Sequence, residues 1–251
     1  RLHDLLYGDG LEPAVLVVAR DVTTRKRFEE ELRAASYRDR LTGLSNRRYF
    51  DDEAARLQAM TSTTRRRSFL AGHWRARELS ADWLQVDPRR IALHRHDDGR
   101  PRMVVDGAPS PLSLSLSHSG DWLAIALATV PVGIDVELPR RQRDLDALAR
   151  FTFSRDEVER LSDVPESERA QAFHVLWTLK EARGKRLGEG LLPGRARLVT
   201  ASPSGAHEAD AMSWPLADGA LALAIDPGSD LVLQGMDALG GPSHWRYHAA
   251  G

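Results

Sequence analysis

Two carboxylates stand one residue apart near the middle of the chain, Asp135 and Glu137, within the run Gly-Ile-Asp-Val-Glu. Because side chains at i and i+2 of a strand point to the same face, a strand here brings both carboxylates together. Two like charges this close are unfavourable unless a cation neutralises them, and hard oxygen ligands suit Mg²⁺. The pattern therefore indicates a metal site. The alternative is an exposed strand face.

A further carboxylate falls on a predicted helix over residues 169–187. Phe173, Trp177 and Glu181 are spaced four residues apart, so Glu181 shares a stripe with two large aromatic side chains. A carboxylate on an apolar stripe is costly without a partner. The partner is either Lys185, as an i,i+4 ion pair, or the metal, with Glu181 as its third ligand.

The distribution of lysine favours the metal interpretation. Lysine plus arginine number 35, yet lysine occurs only at positions 26, 180 and 185. A chain that otherwise prefers arginine thus keeps Lys180 and Lys185 on either side of Glu181. Flexible ammonium groups at these positions could reach phosphate oxygens, so the pattern indicates a functional site rather than a solvated helix face.

An alternating run of leucine and serine ends in Ser117-His118-Ser119-Gly120. A hydroxyl, an imidazole and backbone amides at such a strand end can converge on an anion, while the alternative for His118 is a purely structural role. No Gly-x-Ser-x-Gly, Walker loop or Gly-x-Gly-x-x-Gly occurs, so a hydrolase elbow, a P-loop and a Rossmann site lack support. The arginine cluster at 65–67 has no interleaved aromatics, which argues against a nucleic-acid interface.

Composition excludes several classes of protein. The chain has 251 residues, of which 42% are hydrophobic and 28% are charged, and its net charge is -1, which is not typical of a disordered chain. No apolar run approaches the roughly 20 residues that a membrane-spanning helix needs. The absence of cysteine excludes disulfides and thiolate metal sites. No leader follows Arg1, so we expect a cytoplasmic protein.

The periodicity predicts an α+β fold that positions these residues. The predicted strands are 13–19, 112–119, 122–128, 131–138 and 220–225, and the predicted helices lie around 24–36, 54–84, 144–149 and 169–187. Ser154 and Glu157 have the spacing of a helix N-terminal capping pair. The leucines of the 112–119 strand are expected to face a core and its serines the opposite side.

The first 52 residues carry a pattern of their own. Residues 39–48 read Asp-Arg-Leu-Thr-Gly-Leu-Ser-Asn-Arg-Arg, and the whole segment resembles the end of a PAS sensor domain, its linker and the start of a GGDEF cyclase domain. The chain contains no Gly-Gly-Asp/Glu-Glu-Phe run, so we do not expect synthesis of cyclic-di-GMP. We interpret residues 1–52 as a fusion remnant or an interaction helix.

From about residue 54 to the C-terminus, the chain resembles the Sfp-type 4'-phosphopantetheinyl transferases. The matching motifs, in family order, are Arg-Arg-Arg-Ser-Phe-Leu-Ala-Gly at 65–72, Gly-Arg-Pro at 99–101, Leu-Ser-His-Ser-Gly at 116–120, Val-Gly-Ile-Asp-Val-Glu at 132–137, Phe-Ser at 153–154 with Glu157, and Trp-Thr-Leu-Lys-Glu-Ala-Arg-Gly-Lys at 177–185. The pairing of the fourth motif with the last is specific to the family.

The resemblance implies transfer of the phosphopantetheine arm of coenzyme A to a serine of an acyl or peptidyl carrier protein, with release of 3',5'-ADP. It implies that Asp135, Glu137 and Glu181 hold Mg²⁺ and that Glu181 is the candidate base for the serine hydroxyl. Lys180 and Lys185 are expected to bind the pyrophosphate and to stabilise the departing nucleotide.

The resemblance also implies a set of contacts to the nucleotide. Ser117 and His118 are expected on phosphate, with His118 on the 3'-phosphate beside an arginine of the 65–67 cluster, for which Arg66 and Arg67 are the candidates. Arg100 occupies the position of the lysine in the family's Gly-Lys-Pro motif, near the adenine.

The implied fold is a pseudo-dimer of two similar α+β halves, about 53–138 and 139–251, with residues 1–52 as an N-terminal strand and helical extension. The catalytic domain is expected to act as a monomer on a carrier protein, with neither nucleic acid nor membrane as a partner. The alternative is a signalling or interaction protein whose transferase domain is vestigial.

Overall fold

The structure, a computed structural model, describes residues 13–20, 53, 55–96, 99–139, 143–217, 219–234 and 239–251. Helices and strands both contribute large parts of this region, in agreement with the predicted α+β class. No helix among the described residues is both long enough and apolar enough to cross a membrane.

Each of the five predicted strands is present among the twelve strands of the described residues. The strands are β1 (Pro13–Arg20), β2 (Ile91–Arg95), β3 (Pro101–Val105), β4 (Ala108–Pro109), β5 (Ser113–Ser119), β6 (Trp122–Ala128), β7 (Gly133–Glu137), β8 (Val199–Pro203), β9 (Ala211–Pro215), β10 (Ala220–Ala224), β11 (Asp230–Gln234) and β12 (Ser243–Ala249). The helices are α1 (Thr63–Leu84), α2 (Leu145–Thr152), α3 (Arg155–Asp163), α4 (Glu166–Leu187) and α5 (Pro193–Ala196). The predicted helix around 24–36 lies outside the described residues.

Three sheets organise the strands. The first has the order β11-β1-β6-β5, the second has the order β7-β10-β9-β12-β8, and a small third sheet has the order β2-β3-β4. β5 and β6 form the predicted antiparallel hairpin, with Ser119 opposite Trp122. Gly120 lies in the turn at a φ of 58°, a conformation that suits glycine. β7, which carries Asp135 and Glu137, is an edge strand of the second sheet.

Two strands cross between the predicted halves. β7 belongs to the half 53–138 but pairs with β10 in the second sheet, while β11 belongs to the half 139–251 but pairs with β1 in the first sheet. Each predicted half therefore gives a strand to the other's sheet, and a boundary at residue 138 does not separate the two sheets.

β1 comes from the segment with the PAS-like and GGDEF-like pattern. It runs antiparallel to β6, from Ala14 opposite Ala128 to Arg20 opposite Trp122. This strand is thus part of the same sheet as the β5–β6 hairpin. The boundary at residue 52 and the resemblance of residues 1–52 stay predictions, because residues 21–52 lie outside the described residues.

Helix α1 covers the first sheet. Leu79 and Trp83 of this helix pack with Leu114 of β5 and with Ile125 and Leu127 of β6, all of them buried. The leucine side of the alternating strand therefore faces a core, as predicted. Helix α1 begins at an N-cap serine whose hydroxyl accepts a hydrogen bond from the Arg65 N–H.

Helix α4 packs on the second sheet together with α2 and α3. Leu179 and Ala182 are fully buried there, and the Phe173 ring stacks on Trp177 with 5.7 Å between centroids. Helix α3 begins with the predicted capping pair, because the Ser154 hydroxyl accepts from the Glu157 N–H and the Glu157 carboxylate accepts from the Ser154 N–H.

Gly133 allows β7 to approach α4 closely. A Cβ at this position would lie 1.9 Å from the Ala182 carbonyl oxygen and 2.5 Å from the Arg186 nitrogen, so both backbones would have to separate. We expect Gly133→Ala to lower the free energy of unfolding by about 1–3 kcal/mol or more, measured by urea denaturation. Gly205→Ala is the control, because nothing lies within 4 Å of its added Cβ. Equal midpoints for the two variants would contradict the assigned role of Gly133.

Candidate active site

Asp135 is the most deeply buried carboxylate of β7, with 3% of its surface exposed. Its Oδ1 accepts a hydrogen bond from the Ser117 hydroxyl at 2.8 Å and contacts the Lys185 Nζ at 2.7 Å. Its Oδ2 is buried and has no hydrogen-bond partner. A buried carboxylate oxygen without a partner is costly, so this atom is suited to bind a cation or a donor.

Glu137 lies on the same face of β7 and is half-buried. Its Oε2 accepts from the Ser119 hydroxyl at 3.4 Å. The expectation that both strand carboxylates share one side is thus confirmed, and the face they occupy is enclosed rather than open to solvent.

Glu181 of α4 meets these two carboxylates. Burial raises the pKa of Glu181 to about 7, with the negative charge of Asp135 acting in the same direction. Glu137 adds to the increase, and the positive charge of Lys185 opposes it. Helix α4 and strand β7 therefore bring together the three carboxylates predicted from the sequence, which we call the carboxylate cluster.

The carboxylate cluster suits a hard cation. Among the residues that the structure describes, no group of three or more His, Asp or Glu side chains is already arranged to hold a metal ion. The buried Oδ2 of Asp135 nevertheless has no hydrogen-bond partner, and burial, followed by the charges of Asp135 and Glu137, raises the pKa of Glu181. All three side chains offer oxygen ligands, the type that Mg²⁺ prefers.

Lys185 supplies positive charge to the cluster. Its Nζ contacts Asp135 and also donates to the carbonyl oxygens of Ile134 at 3.0 Å and Leu116 at 3.4 Å. Its side chain is 29% exposed, so the ammonium bridges the edges of β5 and β7 and still reaches solvent. The structure thus places Lys185 with the carboxylate cluster, as predicted.

Lys180 lies elsewhere, and its interpretation as a pyrophosphate contact is corrected. Its Nζ pairs with the Glu157 carboxylate at 2.8 Å and donates to the carbonyl oxygens of Ala196 and Val199. The side chains of Lys180 and Glu157 are each at most 1% exposed. Burial lowers the pKa of Lys180, although the charge of Glu157 opposes this effect. Lys180 therefore anchors α4 to α3.

A first cavity of about 210 Å³ includes in its wall Ser117, whose hydroxyl donates to Asp135 of the carboxylate cluster. Its wall consists of Arg56, Ser68, Phe69, Gly72, His73, Arg95, Gly99, Pro101, Leu116, Ser117, His118 and Leu123. Ser117 and His118 both line this cavity, and their contact with a phosphate stays a prediction. The Ser117 hydroxyl already donates to Asp135 and accepts from the Val136 N–H, so its proton is committed within the protein.

The arginines of this cavity differ from the predicted ones. Arg56 and Arg95 line it, and the Arg56 guanidinium lies 4.8 Å from the centre of the Phe69 ring. Arg66 is exposed and outside the lining, and the side chain of Arg67 is not among the described ones. Arg100 is also outside the lining, and its Nη1 donates to the Arg186 carbonyl at 3.5 Å. Neither Arg56 nor Arg95 belongs to the predicted motifs, so sequence reasoning missed both.

A buried ionic network holds the wall that carries Arg56. Glu53 accepts from the His73 Nδ1 at 2.6 Å and pairs with the Arg77 guanidinium, whose Nε donates to the Ile91 carbonyl at 3.0 Å. Although burial acts to raise the pKa of Glu53, the hydrogen bond to His73 and the charge of Arg77 lower it below its usual value. Sequence reasoning missed this network.

Glu53→Gln tests the network through pH. The lowered pKa favours the ionised carboxylate in the folded state, so this stabilisation is complete above the ordinary value of 4.5 and is lost as pH falls through the lower folded pKa. At pH 7 we expect Glu53→Gln to lower the free energy of unfolding by about 3 kcal/mol, because Arg77 loses its buried counter-charge.

The difference between the wild-type chain and Glu53→Gln should narrow as pH falls toward the folded pKa, measured by urea denaturation at each pH. Glu159→Gln serves as control, since it removes an exposed pair with Arg155 that contributes little. A difference that stays constant with pH would contradict the assigned charge of Glu53.

A second cavity of about 300 Å³ also reaches the carboxylate cluster, at Glu137. Its lining is mostly apolar and consists of Glu137, Leu138, Pro139, Arg143, Leu145, Leu148, Ala170, Phe173, His174 and Trp177. The predicted aromatic stripe of α4 thus forms part of a cavity wall. The second cavity thus borders the carboxylate cluster directly at Glu137, while the first, which is lined by two arginines, is linked to it through Ser117.

Comparison with known proteins places this site within a recognisable segment. Residues 131–208 match the model of the 4'-phosphopantetheinyl transferase superfamily. The chain is 33% identical over 141 residues to the 4'-phosphopantetheinyl transferase HetI of Nostoc sp., covering 56% of this chain and 60% of that protein. It is 34% identical over 128 residues to the 4'-phosphopantetheinyl transferase psf-1 of Bacillus pumilus, covering 51% and 53%.

A third relative is the phosphopantetheinyl transferase of Thraustochytrium sp., 30% identical over 152 residues that cover 56% of this chain and 52% of that protein. The chain spans between half and three-fifths of the length of these curated relatives. The matched superfamily segment contains the whole carboxylate cluster and both lysines of α4.

Proposed function

We propose that this chain is a 4'-phosphopantetheinyl transferase, which moves the phosphopantetheine arm of coenzyme A to a serine hydroxyl of an acyl or peptidyl carrier protein and releases 3',5'-ADP. The observation that carries the proposal is the carboxylate cluster beside Lys185, which lies within the segment that matches the superfamily. Several relatives that carry this activity in their names support the same reaction.

In the proposed reaction, the serine oxygen of the carrier protein forms a bond to the β-phosphorus of coenzyme A, and the bond from that phosphorus to the bridging oxygen breaks. The serine proton goes to Glu181, the proposed base. The leaving group departs as 3',5'-ADP. When bound to Asp135, Glu137 and Glu181, Mg²⁺ supplies neutralisation of the charge on the pyrophosphate.

Lys185 has a second role in this proposal. Its ammonium group is tied to Asp135 on one side and partly exposed on the other, so it can donate to a pyrophosphate oxygen without leaving its place. A cation fixed in this way stabilises the negative charge that develops on the departing nucleotide. Lys180 takes no part, because its ammonium is enclosed by Glu157 and backbone carbonyls.

The two cavities fit the two ends of coenzyme A. Arg56, Arg95 and His118 give the first cavity the cationic and hydrogen-bonding groups that a nucleotide phosphate needs, and we place the 3'-phosphate there. The second cavity is mostly apolar and begins at Glu137, which suits the pantetheine arm. The pyrophosphate then falls between them, at the carboxylate cluster.

In the proposed enzyme, two similar α+β halves act together as a monomer in the cytoplasm. The pattern of one large sheet covered by one 22-residue helix occurs twice, with α1 on the first sheet and α4 on the second, and this supports the two-half arrangement. The partner is a carrier protein, with nucleic acid and membrane not expected to take part.

Incubation of the full chain with coenzyme A, Mg²⁺ and several apo carrier proteins tests the proposed function. We expect each accepted carrier to gain the mass of one phosphopantetheine group, measured by intact-protein mass spectrometry. Carriers with the acceptor serine replaced by alanine should gain nothing. No mass gain with any carrier, in a sample shown to be folded by circular dichroism, would contradict the enzyme and favour the vestigial alternative.

A further inference from the structure

The serines of β5 form a ladder of hydrogen bonds to the neighbouring edge strand β7. The hydroxyl oxygens of Ser113, Ser115, Ser117 and Ser119 accept, in order, the backbone N–H groups of Val132, Ile134, Val136 and Leu138 at 3.3, 3.0, 3.2 and 2.9 Å. β5 is an edge of the first sheet and β7 an edge of the second. The serine side chains thus take the place of the backbone carbonyls that would continue a sheet.

The register of this ladder has a constant offset. Each serine at position i accepts from the N–H at i+19, and the side chain at i+18 lies next to its hydroxyl. For Ser117 and Ser119 the residues at i+18 are Asp135 and Glu137, and both hydroxyls donate to those carboxylates. For Ser115 the residue at i+18 is Gly133, which has no side chain to accept a hydrogen bond.

We propose that Ser117 and Ser119 are positioning residues, whose hydroxyls orient the carboxylates of Asp135 and Glu137 for cation binding. The inference rests on the proposed function for the identity of those carboxylates as cation ligands. A hydroxyl has one proton to donate. When its oxygen accepts from a fixed backbone N–H, the direction in which that proton points is restricted.

The effect of this restricted hydroxyl direction is clearest at the carboxylate of Asp135. Ser117 and Lys185 both hold its Oδ1, and its Oδ2 is buried without a hydrogen-bond partner. Oδ1 of Asp135 therefore contacts protein groups, while Oδ2 is left to bind a ligand. Partners that orient the ligating groups in this way typically change metal affinity about 10–100-fold when they are removed.

Ser119 acts in the same way on Glu137 at the end of the ladder. It is fully buried, and its oxygen accepts from the Leu138 N–H, the last bond of the ladder, at 2.9 Å. Glu137 is half-buried and borders the second cavity, and the Ser119 hydroxyl contacts its Oε2 at 3.4 Å. Ser119 therefore restricts the longer and more mobile of the two carboxylates.

Binding of Mn²⁺ to the full chain, followed by the electron paramagnetic resonance signal of the free ion with and without coenzyme A, tests the inference. We expect the dissociation constant for Mn²⁺ to rise about 10–100-fold in Ser117→Ala and in Ser119→Ala. Ser115→Ala is the matched control, since it removes the same kind of bond to β7 but faces Gly133. Its dissociation constant should match that of the wild-type chain.

A second measurement separates positioning from loss of structure. The concentration of Mg²⁺ that gives half-maximal transfer should increase in Ser117→Ala and Ser119→Ala, with a smaller change in kcat at saturating Mg²⁺. If Ser119→Ala does not fold, Ser119→Cys replaces it, because the thiol keeps a side chain there but is a weak donor.

Wild-type Mn²⁺ affinity in all three alanine variants would overturn the inference. The same loss of Mn²⁺ affinity in all three variants would overturn it as well. A wild-type chain that binds no Mn²⁺ would overturn it by a different route, because the proposed cation site would then be absent. The two failures are distinguishable, since only the second affects the unsubstituted chain.

Discussion

Glu181→Gln should abolish phosphopantetheine transfer while leaving the fold intact. The carboxylate is at once a proposed ligand and the proposed base, and loss of a general base alone typically costs about 10²–10⁴-fold in rate. Glutamine has nearly the same shape, and it removes a negative charge that Asp135 and Glu137 disfavour. We therefore expect kcat to fall by at least about 10²-fold with no decrease in the thermal unfolding midpoint.

Glu168→Gln is the matched control, because Glu168 is an exposed residue in the first turn of the same helix. It should transfer phosphopantetheine at the wild-type rate. Turnover of Glu181→Gln within a few-fold of the wild-type value, at saturating coenzyme A and carrier, would rule out the assigned role of Glu181. A lower unfolding midpoint together with lost activity would point instead to a structural role.

Lys180→Met should produce the opposite pattern, a large loss of stability. Removal of Lys180 leaves the fully buried carboxylate of Glu157 without its counter-charge, and breaking a buried pair from one side typically costs about 3–5 kcal/mol. We expect this decrease in the free energy of unfolding, measured by urea denaturation. The KM for coenzyme A of the molecules that remain folded should stay close to the wild-type value.

The double variant Glu157→Gln with Lys180→Met should recover part of the lost stability, because no unpaired charge then remains buried. Arg155→Met, which removes an exposed partner of Glu159, should change stability by less than about 1 kcal/mol. A stable Lys180→Met chain with a raised KM for coenzyme A would restore the sequence-based interpretation of Lys180 as a phosphate contact.

Which side chains of the carboxylate cluster share a face of their own strand or helix could be predicted from local periodicity. Alternation on β7 places Asp135 and Glu137 on one face, and the four-residue spacing on α4 places Glu181 on the stripe of Phe173 and Trp177. Such patterns depend on a few neighbouring residues. These patterns therefore depend little on the structure of the rest of the chain.

Lys180 was predicted to contact the pyrophosphate because it is adjacent to Glu181 in the sequence. Adjacent residues on a helix point about 100° apart, so a neighbour of Glu181 need not share its surroundings. A signal for the correct answer was present: Lys180 follows Leu176 by four residues and Phe173 by seven, and both of these are buried. Helical spacing thus places Lys180 on the core side of α4, where it forms an ion pair with Glu157 of α3.

Contacts between distant parts of the chain could not be read from the sequence. The first cavity takes Arg56 from the segment before α1 and Arg95 from the end of β2, and neither residue stands in a recognisable motif. The exchange of β7 and β11 between the sheets is also a long-range pairing. Local periodicity predicts that a strand exists but carries no information on its neighbours.

The pairing of β11 with β1 bears on how the chain is completed during synthesis. Domains generally begin to fold from the N-terminus as they leave the ribosome. Yet Pro13 of β1 lies opposite Asp230 of β11, so the strand that closes this side of the first sheet is translated long after β1. Until then β1 has an open edge, a ready template for pairing with another chain. The nascent chain therefore depends on a strand translated much later to protect the edge of β1 from aggregation.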